Sequence, residues 1–294
     1  MIYTLGCSFT KWHWPTWSDW LSVYDSQPVT NWAYPGFTNE LIYQTLLANI
    51  DTIKPTDRVY IMWTGNNRVC QWYDQAWVDQ ADCAGFFPDP AGHVWLGSGQ
   101  PWQGLYKTHP EYLPSLTHMM VDNLVIMFNT QLLLKSIGCD YLMMFWQNPW
   151  LDTRETFKPS FSVSWNSKQH ITAKEIAQAK IIMSMPTVSK ILKHMDWSKV
   201  VDAPVDATDP AQYRGLWEFG LSWPEFLDCN HPVDHHPNAF THHEWLATKM
   251  LTVDSRHKQQ ARDIAVQAQD LTVPNWSGID AITGHQRILN KFPL

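Results

Sequence analysis

Charge is scarce in this chain, and what there is leans acidic: 17% of its 294 residues are Asp, Glu, Lys or Arg, with a formal net charge of −7. No block of Lys or Arg relieves that balance. A phosphate-backbone partner needs a basic stripe, so nucleic acid is not expected as a partner. Long apolar runs are missing too. None approaches the roughly 18 residues of a membrane span, and the opening strand lacks the basic n-region and long h-region of a signal peptide. No membrane partner is expected, and the chain as written reads as beginning inside its fold. Cysteine is sparse and unpatterned: Cys7, Cys70, Cys83, Cys139 and Cys229 are an odd number with no C-x-x-C spacing. That argues against a disulfide framework or a zinc ribbon, and a reducing compartment is the simpler reading. Internal repeats and low-complexity tracts are likewise absent.

What is present is apolar and aromatic. Hydrophobic residues make up 45% of the chain, enough for a sizeable core. Eighteen tryptophans stand out, many in segments without a regular pattern. Exposed indoles form stacking surfaces for sugars or partner proteins; buried ones pack long loops onto a core.

The chain is organised around its first ten residues. Met1-Ile2-Tyr3-Thr4-Leu5 is a short apolar run that stops at Gly6, a buried strand delivered into a tight turn that carries Ser8. Thr16–Tyr24 has helical spacing, and Val29–Tyr34 alternates like a strand and stops at Pro35-Gly36. Thr38 and Asn39 are caps for a helix with Ile42, Leu46, Ile50 and Ile53 on one face, ended by Lys54-Pro55-Thr56-Asp57. Arg58–Thr64 is a continuous apolar strand running into Gly65-Asn66-Asn67. Strand-helix repetition of this kind predicts an open parallel sheet with right-handed crossovers.

Residues from about 70 to 116, interleaved with Pro, Gly and Trp, read as an insertion. A long helix over Thr117–Ile137 follows, with Met120, Leu124, Phe128 and Leu132 every four residues and Gly138 as its cap. Asp140–Trp146 is the next buried strand. A second irregular region, about 148–225, holds helices near Thr172–Ser184 and Val188–His194. A last helix, about Ala239–Leu251, has Thr241-His242-His243-Glu244 as a capping box near its start. Residues 254–294 read as a polar helical appendage to a domain spanning 1–253.

Three glycine-marked turns follow three predicted parallel strands: Gly6-Cys7-Ser8, Pro35-Gly36-Phe37-Thr38-Asn39 and Thr64-Gly65-Asn66-Asn67. In a parallel sheet these converge at one edge, where open α/β folds bind ligands. Asp234-His235-His236-Pro237, just before the last helix, could join them. On these residues the chain resembles the SGNH (GDSL-type) serine hydrolases, over 1–67, about 117–147 and 228–251.

The resemblance implies a flavodoxin-like three-layer α/β/α sandwich with a central parallel sheet, the SGNH hydrolase fold, carrying long Trp-rich insertions. It also implies a serine esterase or acyl-hydrolase that needs no cofactor and no metal. Ser8 matches the nucleophile, His236 the base and Asp234 its orienting carboxylate. The Ser8 N–H, the Gly36 N–H and the Asn67 amide match the oxyanion donors. Two positions depart from the pattern: Cys7 stands where an aspartate is usual, and Arg68 follows Asn67 where an aspartate is usual. Asp228 and His231 offer the family's commoner Asp-x-x-His spacing. Asp234 and His236 are preferred because they immediately precede the helix. Cys7 is expected to pack inward on the opposite face from Ser8.

The substrate implied is a small-molecule or glycan ester, with deacetylation of a carbohydrate suggested by the indole content. The Gly-Cys-Ser-Phe-Thr form is similar to phage-encoded members of the family. Two alternatives keep the fold: an O-acyltransferase, and a non-catalytic carbohydrate-binding or virion structural protein that assembles as a homo-oligomer or within a virion. Without a signal peptide, the location expected is cytoplasmic or virion-associated. His231, His235, His236, His242 and His243 invite a metal, with His235, His242 and Asp234 as ligands, but their spacing fits no familiar zinc signature and surface histidines are the simpler reading.

Overall fold

The computed structural model describes residues 1–12, 16–25, 27–66, 68–73, 86–88, 94–98, 115–150, 173–221, 237, 239–250 and 263. Four strands form one all-parallel sheet: β1 (Ile2–Leu5), β2 (Val29–Asn31), β3 (Arg58–Trp63) and β7 (Asp140–Phe145), in the order β2-β1-β3-β7. β1 lies between β2 and β3, with Ile2 opposite both Val29 and Arg58. β3 pairs with β7 from Arg58 opposite Asp140 to Trp63 opposite Phe145. The order of strands reverses beside β1, the position at which doubly wound sheets open a crevice outside their carboxyl ends.

Side chains alternate across the sheet and find cover on both faces. Tyr3, Leu5, Val59, Ile61, Trp63, Tyr141, Met143 and Phe145 point into one cluster. It is closed by α2 (Asn39–Ala48) and α3 (Leu116–Ile137), with α4 (Ala173–Met183) and α5 (Pro186–His194) completing it. Ile2, Tyr60, Met62 and Met144 point the other way, against α1 (Trp17–Asp25), α6 (Leu216–Leu221) and α7 (Ala239–Lys249). The fold is thus α/β, with helices on both sides of a parallel sheet.

Several elements differ from the sequence reading in instructive ways. β2 is three residues long rather than six, although the chain stays beside β1 as far as the turn at Pro35: Trp32 N donates to Thr4 O at 2.8 Å and Tyr34 N to Gly6 O at 3.3 Å. α2 stops at Ala48, and Ile50–Thr52 forms a 3-10 turn, so Ile50 and Ile53 lie beyond the helix, although both still pack into the same cluster as Ile42 and Leu46. Thr38 caps that helix, accepting from Leu41 N at 3.1 Å; Asn39 is its first residue and has another role. Thr241 lies inside α7 rather than at its cap.

Within the region read as the first insertion, β4 (Val69–Tyr73), β5 (Phe86–Pro88) and β6 (Val94–Ser98) make a separate antiparallel sheet in the order β4-β6-β5. Much of the second irregular region belongs to the core. Ala179, Ile182, Met183, Val188, Ile191 and Leu192 are buried in the first cluster, and Val201 N donates to Met143 O at 2.8 Å. Val200 thereby bridges Met143 in parallel, on the free edge of β7. Among the described residues no helix is long and apolar enough to cross a membrane.

Candidate functional site

Parallel strands leave the sheet at a common edge, so the residues following β1, β2, β3 and β7 gather there. The Ser8 turn is built first. A Cβ on Gly6 would lie 2.0 Å from Thr10 Oγ1 and 3.1 Å from Met62 O, so only glycine lets the chain leave β1 this close to β3. Thr10 N and Lys11 N both donate to Cys7 O, at 2.9 and 3.2 Å, which winds one helical turn around Ser8. Thr10 O in turn accepts from Thr16 Oγ1 at 2.7 Å and Asn31 Nδ2 at 2.9 Å, tying the turn to α1 and to β2. Ser8 itself is 3% exposed. Cys7 is fully buried as a free thiol beneath the turn, among Phe9, Trp17, Met62 and Met144, the packing role its position suggested.

Gly36 occupies the corner of a second turn. Phe37 N donates to Tyr34 O at 3.2 Å across Pro35 and Gly36, and Gly36 has φ +89°. Proline followed by a left-handed glycine is the pattern of a type II turn, which consumes the N–H of its fourth residue and leaves that of Gly36 outside its own hydrogen bond. Tyr34 N donates to Gly6 O at 3.3 Å, so this turn hangs directly on the end of β1, two residues from Ser8.

The third turn follows β3. Asn39, 1% exposed, donates through Nδ2 to Thr64 O at 3.0 Å and accepts Thr64 N at Oδ1 at 2.7 Å. At the far end of that turn, Arg68 Nη1 donates to Phe37 O at 3.1 Å. Arg68 therefore has a different partner from the one an aspartate would take: it reaches the neighbouring turn. Asn66 is buried and donates through Nδ2 to Pro149 O, joining the third turn to the segment after β7.

That segment closes the rim. Trp146 N donates to Trp63 O at 3.1 Å, and the Trp146 ring meets Phe9, next to Ser8, with centroids 4.4 Å apart. Behind it, Glu218 accepts Asn148 N at 2.9 Å and Gly215 N at 2.8 Å. Burial pushes this carboxyl up to about 7, against the pull of those two N–H groups and of Arg214. Sequence reasoning did not single out Glu218; the signal within reach was its place three residues after Gly215, where a glutamate reaches back to the N-terminal N–H of a short helix.

The turn bearing Ser8 and the turn bearing Gly36 are thus joined at the sheet edge through Tyr34 N and Gly6 O. Asn67, Asp234 and His236 lie outside the described residues, as do Asp228, His231 and His235. No protein-family model matches the chain, and no curated protein matches it.

The described histidines of α7 are not on the surface. His242 and His243 are fully buried. His243 Nε2 meets Tyr24 Oη at 2.5 Å, its Nδ1 meets Glu244 Oε1 at 3.1 Å, and its ring packs edge-on to Trp20. This side-chain chain fastens α7 to α1, the helix that follows the Ser8 turn; burial, with Glu244 nearby, raises the Tyr24 hydroxyl well above its usual range. No group of three His, Cys, Asp or Glu able to hold a metal occurs among the described residues.

Proposed function

We propose that the chain is a serine esterase or acyl-hydrolase of the SGNH type. The observation that carries the reading is the placing of Ser8 at the exit of β1, beside a type II turn whose left-handed Gly36 keeps an N–H out of the turn's own hydrogen bond. A nucleophile and an oxyanion donor at one sheet edge are the minimum for acyl transfer. In the proposed reaction His236 takes the Ser8 proton as Oγ attacks the ester carbonyl, and Asp234 holds the imidazole. The Ser8 N–H, the Gly36 N–H and the Asn67 amide receive the charge that develops on oxygen. Collapse of the tetrahedral intermediate expels the alcohol, protonated by His236, and water then releases the acid by the same steps.

The burial of Ser8 favours two further readings. An O-acyltransferase needs the same residues in a site that excludes water. A non-catalytic carbohydrate-binding or virion structural protein would keep the fold and use the serine only for packing. The indoles described are mostly buried, among them Trp17, Trp20, Trp63, Trp146, Trp150 and Trp245, so these six pack the core instead of offering a sugar platform. Carbohydrate as the alcohol half of the substrate therefore rests on composition alone.

Hydrolysis of p-nitrophenyl acetate by the chain and by Ser8→Ala separates these readings. The expected outcome is turnover that falls at least about 10³-fold in the variant, because the nucleophile is lost as a unit with its base. Equal turnover by both proteins would end the assignment of Ser8. Analysis of products in the presence of an acetylated glycan and a sugar acceptor distinguishes hydrolysis from transfer.

A further inference from the structure

The second and third turns are joined along one seam, and the seam has two fasteners. At its inner end the buried Asn39 exchanges two hydrogen bonds with the backbone of Thr64. At its outer end the Arg68 guanidinium holds the Phe37 carbonyl, the exit of the Gly36 turn. Between the fastened residues lie Thr38 on one side and Gly65 and Asn66 on the other. Arg68 is half-buried and makes no ion pair with a carboxylate among the described residues; its partner there is that carbonyl. An arginine in a chain of net negative charge, committed to a neighbouring loop's backbone, fits a geometric duty better than a share in surface ion pairing.

We propose that Arg68 and Asn39 are positioning residues that fix the Gly36 turn against the exit of β3, and so hold the Gly36 N–H in place as an oxyanion donor beside the Ser8 turn. The inference rests on the hydrolase reading for its catalytic consequence. Donors stabilise an oxyanion only if they stand in place before the charge forms, and a displacement of about 1 Å costs on the order of 10²-fold in rate. Asn39 holds the root of the seam, where loss would leave a buried N–H and a buried carbonyl without partners. Arg68 holds the outer lip, where loss frees the turn without emptying the core. Arg68 is therefore the discriminating position.

Arg68→Ala, Arg68→Lys and Ser8→Ala are compared with the unaltered chain by three measurements: kcat and KM on p-nitrophenyl acetate, labelling of Ser8 by a fluorophosphonate, and amide hydrogen exchange across residues 34–39 and 61–68. In Arg68→Ala, kcat and the labelling rate are expected to fall about 10- to 100-fold with KM within about 2-fold, as a misplaced oxyanion site requires. Exchange should quicken in both segments, because both turns lose the same restraint. Arg68→Lys should recover part of each, since an ammonium can still donate to the Phe37 carbonyl from one point. Unchanged kcat with unchanged exchange would overturn the proposal. So would a lowered kcat with unchanged exchange, which would put Arg68 on the substrate. If the unaltered chain neither turns over ester nor labels at Ser8, the hydrolase reading fails on its own. The fastening role is then judged by exchange alone, and unchanged exchange in Arg68→Ala overturns it.

Discussion

Glu218 is the described carboxyl whose ionisation bears most directly on the rim. Both its oxygens accept backbone N–H groups, from Asn148 and Gly215, yet burial lifts it from 4.5 to about 7. An acid whose value is raised on folding binds more protons in the native state than in the unfolded chain, between 4.5 and 7. Stability from this group is therefore greatest at low pH and declines as pH rises through that window, the reverse of a salt-bridged carboxylate. The full span is worth at most about 3 kcal/mol, and partial solvent contact reduces it. Glu218→Gln keeps the shape and cannot titrate. Urea midpoints measured from pH 5 to pH 8 should show the unaltered chain losing about 1–3 kcal/mol relative to this variant. Parallel curves would mean that Glu218 is solvated like any surface carboxylate. The close packing beside it explains why it is shielded: a Cβ on Gly215 would come within 2.6 Å of both Gln147 N and Phe145 O, so α6 starts against the exit of β7 itself.

At the scale of the element, α3 shows both how far sequence periodicity reaches and where it slips. Its ends were legible, because Gly138 at φ +82° takes the left-handed cap from which Gly138 N reaches Leu134 O and Lys135 O. Its buried face was legible only in part. Residues every four positions advance 400° around a helix of 3.6 residues per turn, so a stripe drawn through Met120, Leu124, Phe128 and Leu132 drifts by 40° at each step. The drift leaves Leu132 51% exposed, while the true face runs through Met120, Leu124, Met127, Gln131 and Leu134. Gln131 was invisible to an apolar count, yet it is buried, exchanging hydrogen bonds with Asp196 O at 3.1 Å and Asp196 N at 2.9 Å. Leu124→Ala should therefore cost about 2–4 kcal/mol in urea denaturation, and Leu132→Ala about 0.5 kcal/mol or less. Equal losses would restore the four-residue stripe. The turns of the candidate site were legible for a related reason. Glycine marks the first two because backbone geometry demands it at Gly6 and Gly36, whereas Asn39 reads as one more cap until Thr64 is seen across from it. Arg68 acts on Phe37 O, and Glu218 on Asn148 N as well as on the nearby Gly215 N; no local pattern encodes the two distant partners.

The whole molecule depends on covering both faces of a four-stranded sheet, and the residues that complete the cover come from a stretch without a clear pattern. The helices α4 and α5 were legible near 172–184 and 188–194, but their place against the sheet was not, and the connection through Val200 to β7 is a single bridge that no strand motif announces. Yet Ala179, Ile182, Val188 and Ile191 share one cluster with Leu46, Val59, Leu124 and Met143, and that shared burial makes 173–213 part of the same cooperative unit as the sheet. Ile182→Ala removes a fully covered side chain from the seam between them, at an expected cost of about 2–4 kcal/mol. Tryptophan fluorescence reports on the sheet through Trp63 and on its opposite face through Trp17 and Trp245, while far-UV circular dichroism reports on all the helices. Both signals should shift together to a lower urea midpoint with an unchanged slope, because a single transition carries both faces. A fluorescence transition that stays in place while part of the helical signal melts early would show that 173–213 folds as a separate unit resting on the sheet.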